Sequence, residues 1–244
     1  MTVVPAFLVV GGVALLGAFA MYRWGRSFRA IARRIEEMTS TPASRVAPGF
    51  VEVKGRAKGA RSPVTSPVSK RPCVYYRFLV EELVKRGKSS TWRTRIDDQQ
   101  ECGLLVVDAW QGEIEVNLRA ATLMLKPDLR TKSGFLNDAP PELEATLRQY
   151  GGTSQGFIFN KAMRYTETVL NAGDEVYVIG TARQQGGRMM IDRGGDLFIV
   201  SDQPEEEVTR SFHGKKTSRY LVSVLLALVG LGFLVLSAAA PAWM

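Results

Sequence analysis

The residues able to carry chemistry are few and far apart. Cys73 and Cys102 are the only cysteines and His213 the only histidine, so four Cys/His ligands for a structural zinc ion cannot be gathered from this sequence. Cys102 as a nucleophile would need a base, and His213 lies instead in a charged stretch beside an apolar run. Gly87, Lys88 and Ser89 have the order that closes a phosphate-binding loop, but that motif wants Gly at the position where Glu82 stands. Asp97 with Asp98, and Asp192 with Asp196 around Gly194 and Gly195, resemble paired carboxylates, and solvated turns account for them more simply than a cation site does. No catalytic, metal-binding or cofactor-binding residue is expected, and no cofactor.

What the composition declares is a membrane. Tyr220 to Met244 contains no Asp, Glu, Lys or Arg, and as a helix it covers roughly 37 Å against about 30 Å of hydrocarbon. Tyr220 and Trp243 stand near its ends, where interfacial aromatics belong. Residues 1–22 form a second uncharged apolar run. Ala18, Phe19 and Ala20 satisfy an A-x-A cleavage pattern, but a signal peptide carries its positive charge ahead of the apolar region, whereas Arg23, Arg26, Arg29, Arg33 and Arg34 all follow this one. An uncleaved span is the expectation.

Arg210, Lys215, Lys216 and Arg219 precede the second run, so both basic flanks face the middle of the chain. The positive-inside tendency then puts the central region in the cytoplasm and both termini outside, at the inner membrane if the cell is bacterial. The formal net charge of +8 falls wholly between the uncharged runs, which predicts anionic lipid as a partner of Arg23, Arg26, Arg29, Arg33, Arg34, Lys215, Lys216 and Arg219.

Residues 23–38 read as a basic amphipathic helix. Trp24, Phe28, Ile31, Ile35 and Met38 form one apolar stripe, which could pack on the central domain, lie on lipid, or meet a second copy in a homo-oligomer. Pro42, Pro48 and Gly49 mark residues 39–49 as a linker. Residues 50–202 then alternate in short strands: Val74, Tyr76, Phe78 and Val80 oppose Cys73, Tyr75, Arg77 and Leu79, and Leu104 to Val107 with Ile114, Val116 and Leu118 make the clearest hairpin. One helix, Pro141 to Tyr150, interrupts the strands, and Asp202 with Glu205 caps a charged helical connector over residues 203–219. The fold class is mainly β with α additions (α+β), an OB-like small β-barrel between two transmembrane helices; a compact β-sandwich is the competing architecture.

OB-like barrels often bind single-stranded nucleic acid through aromatic faces in a basic groove. Tyr75, Arg77, Trp92, Arg93 and Arg95 could supply one, as could Lys54, Arg56 and Lys58. Lipid accounts better for basic residues massed beside the spans, so nucleic acid is disfavoured as a partner.

Four phrases together resemble one family: Gly49 to Gly59, Ser66 to Glu82, Arg164 to Ala182 and Phe198 to Val208. The chain is similar to the GIDE or "beside a membrane" domain, which lies between two transmembrane helices in a mitochondrial ubiquitin ligase of eukaryotes and in many prokaryotic proteins. The likeness singles out Tyr76, Arg164, Tyr165, Gly173, Asp174, Tyr177 and Gly180 as structural or partner-binding positions. Ligase activity in that family rests on a zinc-binding RING after the second span. This sequence ends at Met244 and lacks the cysteines and histidines for one, so the resemblance implies a RING-less, prokaryotic-type member that binds a protein partner at the membrane without catalysis.

Overall fold

The computed structural model describes residues 3–134, 137–154, 161–195 and 197–239. The side chains of Phe28, Arg29, His213, Lys215 and Lys216, and residues Asp196 and Trp243, lie outside the described set. In chain order the elements are α1 (Val3–Glu36), β1 (Gly49–Gly59), β2 (Val64–Thr65), β3 (Pro72–Cys73), β4 (Tyr75–Arg86), β5 (Ser89–Glu101), β6 (Leu104–Val107), β7 (Glu113–Val116), β8 (Thr122–Met124), β9 (Leu129–Ser133), α2 (Pro141–Gln149), β10 (Met163–Leu170), β11 (Glu175–Gln185), β12 (Arg188–Asp192), β13 (Ile199–Ser201) and α3 (Glu205–Ala239). They divide into two compact units, the helical termini and residues 39–204.

In the helical unit, α1 and α3 lie antiparallel. Phe7 meets Phe233 with ring centroids 5.8 Å apart, and Tyr22 meets Tyr220 at 5.7 Å. The backbones come closest at two glycines. A Cβ on Gly11 would stand 3.1 Å from the Gly230 carbonyl oxygen, and one on Gly230 would stand 2.9 Å from Leu15. Small residues at such a crossing let apolar helices pack by contact where the hydrophobic effect gives no drive. Leu8, Val13, Leu16 and Phe19 on α1, and Leu221, Leu225, Leu228 and Val235 on α3, point outward. Both helices are long and apolar enough to cross a bilayer. Each is continuous with its charged stretch: α1 runs unbroken into its arginines, and α3 begins at Glu205–Glu207, acidic residues that suit a helix N-terminus.

The second unit is built on a closed five-stranded barrel, with strands in the ring order β1, β6, β7, β12, β11 and back to β1. Every junction is antiparallel except β7 with β12. Closure requires β1 to serve two neighbours, pairing β11 from Gly49 to Arg56 and β6 from Arg56 to Gly59. Gly55 sits at that change of partner, where a Cβ would fall 2.4 Å from the Val107 carbonyl oxygen, so the absence of a side chain is what permits the approach. Val53, Leu104, Val106, Ile114, Val116, Val178, Ile191 and Phe198 fill the interior. The OB-like expectation holds, and the closed ring excludes the sandwich.

Two insertions into the barrel combine into a second sheet. The chain between β1 and β6 contributes β4 and β5, and the chain between β7 and β11 contributes β9 and β10, in the order β5, β4, β10, β9. Helix α2 covers part of one face of this sheet, burying Leu143 and Leu147 against Phe78, Val80 and Tyr165. Pro stands at the first turn of α2, and Gly151 follows its end at φ 71. Residues 39–49 are docked rather than loose: a 3-10 turn at Ala43–Arg45 buries Ala43 in the barrel cluster, and the Thr41 N–H donates to the Glu52 carbonyl at 2.8 Å.

Candidate ligand cleft

On the four-stranded sheet, alternation sends Tyr76 and Tyr165 to the covered face and Arg164 to the open one. The Tyr76 hydroxyl donates to Asp98 Oδ2 at 2.9 Å, and the Tyr150 hydroxyl donates to the same oxygen. Burial first, and the Asp98 carboxylate second, raise both phenol pKa values above their usual range, so each stays protonated and donating. Tyr165 is fully buried with its hydroxyl 3.1 Å from Ser133 Oγ. Across the open face Arg164 grips Glu81 with two nitrogens and stacks on Trp92, its guanidinium carbon 4.5 Å from the ring centroid. Arg77 holds Asp97 in the same two-pronged manner at 2.7 and 2.8 Å.

The remaining motif residues hold the barrel. Gly173, at φ 92, makes the turn between β10 and β11, and its N–H donates to Ala57 O at 2.8 Å. Asp174 Oδ2 accepts from the Asn171 N–H at 2.7 Å, closing that turn. Tyr177 donates to the buried Glu52 Oε2 at 3.0 Å, beside Lys54. Gly180 lies beneath Ile191 and Phe198, 2.6 and 2.7 Å from where its Cβ would be. The seven positions therefore divide between sheet and barrel and do not converge on one site. Of the basic flanks, Arg23, Arg26, Arg33 and Arg34 are exposed on α1, and the Arg219 guanidinium lies 3.5 Å from the centre of the Trp24 ring.

The weak chemical signals resolve as structure. Gly87, at φ 59, and Lys88 form the turn of the β4–β5 hairpin. Asp192 accepts from Asn117 Nδ2 at 3.2 Å. Cys73 and Cys102 are buried free thiols, and burial, with Cys102 nearby, pushes the Cys73 pKa up to about 11, which keeps it a thiol. Among the described residues no three His, Cys, Asp or Glu side chains cluster to hold a metal ion.

What the fold does build is a cleft of about 720 Å³ between the open face of the four-stranded sheet and the segment that follows β7, within the size range of ligand sites. Tyr75, Arg77, Gln99 and Glu101 supply one wall; Leu118, Ala121 and Leu123 supply an apolar opposite wall. Arg119 also lines it, paired to Glu101 at 2.8 Å, and Tyr75 donates to Gln99 Oε1 at 3.1 Å. Both walls carry a strand at the end of its sheet, β5 on one side and β8 on the other. Such edges offer backbone hydrogen bonds to an added chain.

A family model described as GIDE, E3 ubiquitin ligase, matches residues 79–236, from within β4 to within α3. This chain belongs to the GIDE family. No curated protein and no solved structure matches it. The GIDE match takes in most of the cleft, with Gln99, Glu101, Leu118, Arg119 and Leu123 inside it and Tyr75 and Arg77 just before it. The sequence offers Tyr75 and Arg77 only within a disfavoured nucleic-acid surface, and it does not single out Gln99, Gln100, Leu118, Arg119 or Leu123 as cleft residues. Only pairing β5 with β4 brings Gln99 beside Tyr75, and no local pattern announces that.

Proposed function

We propose that this GIDE-family chain is a two-span membrane protein whose central domain faces the cytoplasm and docks a protein partner, without catalysing a reaction itself. The observation that carries the reading is the cleft. Its amide and guanidinium wall, apolar opposite wall and two strand edges suit an extended polypeptide segment, which edge pairing would hold by backbone hydrogen bonds while the half-buried Ala121 and Leu123 take apolar side chains. Its polar groups are engaged with each other: Arg77 with Asp97, Arg119 with Glu101, Tyr75 with Gln99. That is an arrangement for recognition, since a general acid or base would need a proton free to move.

The test is photocrosslinking in cells from an unnatural residue at Gln100, in the cleft, compared with one at Gln184, exposed on β11. The reading expects a polypeptide captured from position 100 and not from 184, and lost on Leu123→Glu in protein whose thermal unfolding is unchanged. Equal capture at both positions, or none from the cleft, would overturn it. Gly180 and Tyr177 are unsuited as probes because their substitution disturbs the barrel itself.

A further inference from the structure

The tip of the β4–β5 hairpin carries a charge arrangement that neither the barrel nor the cleft uses. From Leu83 to Ile96 the chain contains Lys85, Arg86, Lys88, Arg93 and Arg95 and no acidic residue. Arg95 is neutralised by Glu82 at 2.7 Å. Lys85, Arg86, Lys88 and Arg93 are exposed and make no ion pair among the described residues. Four uncompensated cations on one hairpin repel one another, an arrangement that an anion relieves.

The register shows how they are presented. Arg86 lies opposite Ser89, Val84 opposite Thr91 and Glu82 opposite Arg93, so Glu82, Val84, Arg86, Ser89, Thr91 and Arg93 share one face, with the Glu82 carboxylate taken up by Arg95. Helix α2 covers that face at Phe78 and Val80; beyond it these residues, with Trp92, line a concavity of about 390 Å³. Arg86 and Arg93 flank it, with the Ser89 and Thr91 hydroxyls between them. The four steps from Ser89 to Arg93 span about 13 Å along the strand, a gap two arginine side chains close from either end. Guanidinium forks and hydroxyl donors around a small concavity are the groups that take a phosphate.

We infer that the β4–β5 tip is a phosphate-binding site for the headgroup of an anionic phospholipid, held chiefly by Arg86 and Arg93. The inference rests on the membrane reading above. A chain anchored by its own helices meets headgroups at a tether-set effective concentration no soluble phosphate matches, and the half-exposed Val84 lining the concavity suits the headgroup layer.

The test uses the full-length protein reconstituted in nanodiscs, with Ser90→Cys labelled by an environment-sensitive fluorophore; Cys73 and Cys102 are buried and do not compete. Expected is a blue-shifted signal in discs of equal phosphatidylcholine and phosphatidylserine, absent in phosphatidylcholine alone. Arg86→Gln with Arg93→Gln should weaken the lipid dependence about tenfold or more, with the circular dichroism spectrum unchanged. Failure to enter discs at all would instead overturn the membrane reading. Entry without a lipid-dependent signal, or a signal indifferent to the two arginines, would overturn the site. A response in neutral discs to inorganic phosphate but none to phosphatidylserine would overturn the lipid source, and a response only to an RNA oligonucleotide would make the tip a nucleic-acid contact instead.

Discussion

Three carboxylates of the second unit, Glu81, Asp97 and Glu144, are set by their partners. The hydrogen bond from Arg164 holds Glu81 below the usual carboxylate range, and that from Arg77 does the same for Asp97. At Glu144 burial works upward, but donors on Ser154 and Thr153 outweigh it and the net shift is downward. A carboxyl whose folded-state pKa is lowered adds stability that is complete above its unfolded value, about 4, and drains away as pH falls through the folded value. The protein should therefore lose thermal stability on acidification from about pH 5 toward pH 3. Glu81→Gln removes one such group, so its unfolding midpoint in detergent should fall less steeply over the same window. An unchanged slope would mean that Arg164 gives Glu81 no net stabilisation and serves only to place itself on Trp92.

At the scale of elements, what was legible in the sequence depended on which strands have one dry face. β6 and β7 alternate because their inner residues, Leu104, Val106, Ile114 and Val116, fill the barrel, and α2 shows Leu143 and Leu147 at helical spacing over its sheet. β5 gave no such signal. It is an edge strand with Arg93, Thr94, Arg95, Asp97 and Asp98 in near succession, and a register shift beside Arg95 breaks its period. β8 and β9 are short, and their pairing with distant β13 and β10 defines them. The cleft inherits this opacity, because its walls come from β5 and β8. The basic stretch after the first apolar run was readable as a helix continuing the first span, but not as to what its apolar stripe packs on. It continues α1, so Arg33 stands about 15 Å along the axis beyond Arg23, past the Debye length of about 8–10 Å. Tyr22, Trp24 and Tyr220 lie together on the helical pair, and in a bilayer such aromatics would stand at the interface. Hence Arg23→Gln with Arg26→Gln should cost about 2 kcal/mol of anionic-lipid binding, seen as loss of co-purified phosphatidylserine by native mass spectrometry. The Arg33→Gln, Arg34→Gln pair should retain it, and equal loss from both pairs would show that α1 lies down on the bilayer.

At the scale of the whole chain, the antiparallel pairing of α1 and α3 reduces the orientation to one binary choice. The C-terminal end of α1 and the N-terminal end of α3 lie together, and both basic flanks are at that end, so residues 39–204 leave and re-enter the helical pair on one side. Two flanks that favour the same side reinforce each other, and each alone should suffice. Impermeant maleimide applied to intact bacterial cells reads the outcome through Ser90→Cys, since the native thiols are buried. With both flanks present Ser90→Cys should be protected, while Thr2→Cys, at the N-terminal end of the first apolar run, is labelled. Changing Arg23, Arg26, Arg29, Arg33 and Arg34 to Gln should leave that pattern, because Arg210, Lys215, Lys216 and Arg219 still hold the second span. Changing both sets should expose Ser90→Cys in a substantial share of molecules. Labelling of Ser90→Cys with both flanks intact would put the central domain outside, and the lipid surface within reach of the hairpin would then be the outer leaflet.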